Sequence, residues 1–170
     1  LVSSRGLGDV YKRQILIYAS TDPLEAMQLN GDIIVIDEGK ILQTGTAKDV
    51  FENPATAKVA EITNDPAMNI NKCLIQDNSL IMNDSVQIQI PDELKSVPNG
   101  KYLVGIRATD IYLDDQGFAF DVEISEISGS ETFLHLRNKN LKCVATIEEV
   151  KTYNTNAVSY THLRAHETRP

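Results

Sequence analysis

Two pairs of adjacent carboxylates are the first residues in this chain whose types could do chemistry. Asp37-Glu38 and Asp114-Asp115 offer the groups that acid–base work or a divalent cation would use. Their settings argue otherwise. Asp37-Glu38 runs into Gly39-Lys40, the composition of a hairpin tip. Asp114-Asp115 runs into Gln116-Gly117 with no spaced acidic ligands after it. Cys73 and Cys143 each lie in an apolar, strand-like run, away from any C-x-x-C pair, and read as buried thiols. His135 stands alone in the alternating run Thr132–Arg137 and receives no role. Phosphate binding through G-x-x-x-x-G-K-[ST] needs more than Gly6-Leu7-Gly8 or Gly105-Ile106-Arg107, and that motif does not occur in the sequence.

Charge narrows the partners. Residues 1–14 (LVSSRGLGDVYKRQ) and 159–170 (SYTHLRAHETRP) have no apolar period and differ in composition from the middle. Both resemble translated sequencing-adapter sequence, so 1–14 and 158–170 are expected to be non-native tails on a reading frame cut at both ends. Setting aside their net +2 and net +1 changes the overall −8 to −11. A surface that acidic repels phosphate backbones, and an aromatic content of 6% leaves few stacking platforms; no nucleic-acid partner is expected. No run approaches the ~20 apolar residues of a membrane-spanning helix, so direct membrane insertion is not expected either.

The elements divide near Thr63-Asn64-Asp65-Pro66. Ahead of it, Asp22-Pro23-Leu24-Glu25 predicts a helix start: Asp22 caps, Pro23 takes the first helical position, and Glu25 falls at the capping-box position. Asn30-Gly31 supplies its stop. The run Asp32–Asp37 reads as a strand buried on both faces, turned at Glu38-Gly39 into the strand Lys40–Thr44. Thr46 and Asp49 open a second helix that Asn53-Pro54 ends, and Ala55–Ile62 is a third.

Beyond the divide the pattern is period two. Val86–Ile90 alternates strictly, as does Phe118–Ser125. Turns are expected at Asp77-Asn78, Pro98-Asn99-Gly100, Asp114–Gly117 and Ser128-Gly129-Ser130. Short strands at this spacing predict a small barrel or sandwich.

These runs carry a resemblance. Ser20-Thr21-Asp22-Pro23-Leu24-Glu25-Ala26, then Asp32-Ile-Ile-Val-Ile-Asp-Glu-Gly-Lys-Ile-Leu-Gln-Thr-Gly-Thr46, then Asp49-Val-Phe-Glu-Asn-Pro54, resembles the close of the nucleotide-binding domain in ABC-transporter ATPases of the sugar and glycerol importer group. Tyr102–Arg107 and Val122–Thr132 are similar to the TOBE domain, the OB-like barrel that comes after it, with Ala108-Thr109 where that family usually has Pro-Glu.

The resemblance implies an α/β remnant of a P-loop ATPase domain over 15–64 and an all-β OB-like (TOBE) barrel over 67–157. It implies ATP and magnesium in the full-length parent and no cofactor for the fragment alone. The implied partners are a second ATPase subunit, in a homo- or heterodimer, and membrane permease subunits that hold the protein at the cytoplasmic face of the membrane. The family pattern Thr-His-Asp-x-x-Glu-Ala places a switch His beside the γ-phosphate, and Thr21 stands at that position. Thr21 is the one nucleotide-proximal candidate; no catalytic set is complete and no metal ligands are expected. The expected function is that of an ATP-hydrolysing subunit energising import of a carbohydrate or glycerol-like polyol. The alternative is a non-enzymatic OB-like module that binds a small ligand or a regulatory protein.

Overall fold

Helix α1 (Pro23–Gln28) forms where the sequence places a cap. Asp22 accepts from the backbone N–H of Leu24 at 2.8 Å and of Glu25 at 3.4 Å, meeting two donors that a first helical turn leaves open. The structure is a computed structural model and describes residues 15–29, 31–155 and 158–163. Asn30, half of the expected helix stop, lies outside them; Leu29 caps the helix C-terminus.

Strands β1 (Asp32–Asp37) and β2 (Lys40–Thr46) pair antiparallel around Glu38 and Gly39, whose φ values of 47° and 74° are those of the expected two-residue turn. Only one face of this hairpin is covered. Val35 is buried with Val50 and Val59, whereas Ile34, Ile36 and Ile41 are 57%, 59% and 64% exposed. The continuous Ile/Val run is therefore buried on one face among the described residues, where burial on both was expected. Helix α2 (Ala47–Glu52) starts at Thr46, which accepts from the Asp49 N–H at 3.2 Å. Helix α3 (Ala57–Ile62) is capped by Thr56 and begins two residues later than the sequence suggests. Gln43 holds the connection between them, donating to the Asn53 carbonyl and accepting from the Ala55 N–H.

The divide at 63–66 is packed. Thr63 and Asn64 are buried, and their side chains donate to the carbonyls of Val59 and Ala60, both at 2.8 Å. Beyond it the chain is almost wholly β. Strands β3 (Asn69–Gln76), β4 (Ser79–Met82), β5 (Val86–Gln89) and β6 (Gly100–Ile106) make one four-stranded sheet in the order β5-β4-β3-β6. Strands β7 (Ile111–Ser128), β8 (Glu131–Asn138), β9 (Leu141–Ile147) and β10 (Val158–Leu163) make another in the order β10-β7-β8-β9. The alternating residues of both sheets, Met82, Val86, Ile111, Phe120, Leu134 and Leu136 among them, close one core. Asn69 ties the sheets together: its side-chain amide donates to the carbonyls of Ile106 and Val144, and its oxygen accepts from the Val144 N–H at 2.7 Å.

Two details depart from the sequence expectation. Asp114–Gly117 reads as a turn between strands, yet β7 continues through it. Pairing to β10 jumps from Ala119 to Leu113, so residues 114–118 loop out of that ladder. Gly117 passes so close to Thr161 that a Cβ there would lie 2.5 Å from its carbonyl oxygen. Secondly, 158–163 belongs to the segment expected to be a tail. It forms β10, and Thr161 is fully buried. Strand addition at a sheet edge uses backbone groups, which any extended sequence carries, so composition does not announce it. Residues 1–14 and 164–170, the rest of the expected tails, lie outside the described residues.

Candidate functional site: the turn into the first helix and the junction behind it

Thr21 is exposed at the bend that leads into α1. The local sequence fixes that bend through a small polar cluster. The Tyr18 hydroxyl donates to the Glu25 carboxylate at 3.0 Å, and the Ser20 hydroxyl donates to the same oxygen at 2.6 Å. Ser20 Oγ in turn accepts from the Asp22 N–H at 3.0 Å. Glu25 therefore accepts two hydroxyl hydrogen bonds, and Ser20 accepts from the backbone donor that a capping box would assign to Glu25. The hydrogen bond to the Glu25 carboxylate, helped by its charge, holds the Tyr18 phenol above its ordinary pKa. The result is a short segment pinned on both sides of Thr21, which itself stays exposed.

Of the other residues considered for chemistry, Asp114 and Asp115 lie within β7 and not in the expected turn, while the rest fall where sequence reasoning puts them. Asp37 and Glu38 sit at the β1–β2 hairpin tip. His135 is half-buried in β8 between Ile124 and Val144. Cys73 and Cys143 are free and buried; desolvation raises both thiols, Cys143 to about 12. No cluster of His, Cys, Asp and Glu fit to hold a metal occurs among the described residues.

Sequence reasoning misses Arg107. In the sequence it only closes the barrel's Val-Gly-Ile-Arg run, and no local signal tells what an Arg after a strand will reach. Its Nη2 donates to the carbonyl of Phe51 at 2.7 Å, and its guanidinium carbon stands 4.5 Å from the centre of the Phe51 ring. That carbonyl belongs to the last turn of α2, where open acceptors and the negative end of the helix dipole favour a cation. Arg107 thus joins the β region to the hairpin and helices that come after Thr21.

The chain is similar in sequence to known transport proteins. The chain is 30% identical over 127 residues to the sn-glycerol-3-phosphate import ATP-binding protein UgpC of Psychromonas ingrahamii, covering 75% of this chain and 33% of that protein. It is 30% identical over 137 residues to the ABC transporter ATP-binding protein YurJ of Bacillus subtilis, covering 71% and 37%. The multiple sugar-binding transport ATP-binding protein MsmK of Streptococcus mutans is 28% identical over 156 residues, covering 78% and 41%. The chain is a homologue of ABC-importer ATP-binding subunits. It spans about a third of the length of the relatives it matches. No protein-family model matches it. Among the described residues of this ABC-importer homologue, no helix is long and apolar enough to cross a membrane.

Proposed function

We propose that this chain is the closing portion of an ATP-hydrolysing subunit that energises ABC-type import of a carbohydrate or glycerol-like polyol. Residues 15–64 end the nucleotide-binding domain and residues 67–157 form a TOBE, OB-like regulatory barrel. The observation that carries this reading is the match to relatives named for sn-glycerol-3-phosphate import and multiple-sugar transport. The order of the motifs around Thr21, the Asp32–Thr46 hairpin and the Tyr102–Arg107 strand supports it.

The chain's own contribution to hydrolysis is small and specific. The described residues include no carboxylate cluster for a metal, and the sequence has no phosphate loop. ATP and magnesium are therefore held chiefly by parts of the subunit outside this chain. What this chain presents toward them is the exposed hydroxyl of Thr21 on a pinned bend. Bound ATP supplies the phosphoryl group; Thr21 donates one hydrogen bond toward the γ-phosphate, where the family's imidazole would donate. Hydroxyl and imidazole differ in length and in ability to carry a proton, so the Thr21 site is an impaired one. A second ATPase subunit retaining His completes the pair, and permease subunits anchor it at the cytoplasmic face of the membrane.

The test is the genomic sequence upstream of Ile15. A G-x-x-x-x-G-K-[ST] loop followed by Leu-Ser-Gly-Gly-Gln supports the proposal. A start codon close to Ile15 overturns it and leaves a binding module.

A further inference from the structure

A cleft of about 400 Å³ opens where the hairpin–helix region meets the β region, on the side that carries Arg107. We propose that it binds a small amphiphilic anion, an apolar body of six to ten atoms ending in a carboxylate or phosphate (roughly the size class such a cleft encloses). Segments distant in sequence build it. Leu24 and Met27 come from α1, Lys48 and Phe51 from α2, Asp65 from the divide, and Arg107 from the end of β6.

The apolar part of the ligand is set by Leu24 and Phe51, which stay 50% and 36% exposed, and by Met27 beside them. Side chains of this kind in a concave wall cover an apolar ligand well and make a poor hydrated surface. The sign of the polar part is set by charge. Lys48 and Arg107 against Asp65 give the cleft a net positive lining on a chain whose overall charge is −8. Lys48 is only loosely engaged: its amine is 3.9 Å from Glu52, with both side chains more than half exposed. Arg107 carries a further signal, because its Nε–H is buried with no hydrogen-bond partner among the described residues. That donor is closed to solvent, so an acceptor reaches it only when the guanidinium shifts toward the guest; an apolar guest leaves it unmet.

Occupancy has a structural consequence. A guest touching α1, α2 and Arg107 together fixes the helix that Thr21 precedes. Any effect of that fixing on hydrolysis rests on the role proposed for Thr21; the binding site does not.

The experiment uses the full 170-residue chain with methyl-labelled methionine and three probes: octanoate, octanol and inorganic phosphate. Met27 reports the cleft, and Met82, fully buried in the β core, serves as control. Octanoate should shift the Met27 methyl saturably and leave Met82 unmoved. Octanol should bind at least about fivefold more weakly, and phosphate should produce no Met27 shift. Lys48→Gln should weaken octanoate about twofold to fivefold, the range for an exposed ion pair, and leave octanol unchanged. Leu24→Glu, at a half-exposed site that tolerates a polar side chain, should abolish octanoate binding. An unmoved Met27 methyl overturns the site, as does unaltered octanoate binding in Leu24→Glu. Equal affinities for octanol and octanoate overturn the anion. None of these results depends on ATP, so failure here leaves the ATPase proposal standing and separately testable.

Discussion

The Arg107 Nη2 donates to the Phe51 carbonyl at 2.7 Å while its guanidinium lies over the Phe51 ring at 4.5 Å. One side chain from the end of β6 thus holds α2 by both its backbone and its aromatic ring. Hydrogen bonds from a charged donor and exposed cation–π contacts together contribute about 1–3 kcal/mol. Arg107→Ala should therefore raise amide exchange across residues 47–62 by about tenfold or more and leave residues 118–147 unchanged. Uniform acceleration of both regions would show that Arg107 supports the whole fold and does not act as a local bridge.

Protection should be uneven even in the unaltered chain. Ile34, Ile36 and Ile41 are more than half exposed on the uncovered face of the β1–β2 hairpin, whereas Phe120, Val122, Leu134 and Leu136 are at most 1% exposed. Opening free energy tracks buried contact, so residues 118–147 should exchange far more slowly than residues 15–62. Equal and strong protection in both would contradict the reading of 15–64 as the end of a larger domain.

Much of this division is legible in the sequence, and the reasons are local. Asp22 and Thr46 cap helices because their side chains reach N–H groups two or three residues on, a relation that spacing alone reveals; Thr56 does the same for the third helix, whose start is expected at Ala55. Glu38-Gly39 and Asp77-Asn78 turn where expected, all four residues at positive φ. Asn83-Asp84 and Lys139 also take positive φ and turn the chain. Asn83-Asp84 carries the same Asx signal as Asp77-Asn78 yet is not among the expected turns, while Lys139 carries none. What stays hidden depends on contacts remote in sequence. Arg107 meets Phe51 across 56 residues, and Asn69 meets Val144 across 75. Thr21 is legible only through the order of its neighbours, since an exposed Thr before a cap has no chemical signature of its own.

Asn69 is the most exacting of those remote contacts. Replacing it with Leu leaves the Val144 N–H and the Ile106 and Val144 carbonyls without their side-chain partner at a position 9% exposed. An unmet, fully buried backbone group costs about 1–3 kcal/mol and these three are only part-buried, so Asn69→Leu should destabilise the β region by about 2–4 kcal/mol in total in urea unfolding. A loss under about 0.5 kcal/mol would mean that water replaces the side chain at no cost.

Acid should expose the ion cluster on β7. A register shift between Val122 and Ile124 bulges Glu123, whose carboxylate accepts from Arg137 at 3.0 Å and from Lys142 at 3.3 Å. The Arg137 hydrogen bond, opposed by desolvation and aided by Lys142, holds Glu123 below its ordinary value of 4.5. A depressed folded-state pKa means the unfolded chain binds the proton first. The stabilisation is present above that ordinary value and is lost as pH falls through the folded value. Glu123→Gln should accordingly lower the thermal midpoint at about pH 7 and match the unaltered protein near pH 2. A difference that persists unchanged in acid would assign the effect to packing.

Thr21 is proposed to stand beside the γ-phosphate in the restored full-length subunit, and its hydroxyl to do there what an imidazole does better. The measurement is single-turnover ATP hydrolysis by that subunit and by Thr21→His, with and without a partner subunit that carries His. One donor aimed at transition-state charge is typically worth ~10²–10³ in rate. We predict slow hydrolysis by the Thr21 homodimer and acceleration of that order in Thr21→His. ATP affinity should change little, because other parts of the subunit hold the nucleotide. A His-bearing partner should restore turnover to the unaltered chain. A fast Thr21 homodimer that the substitution does not alter would contradict this role for Thr21.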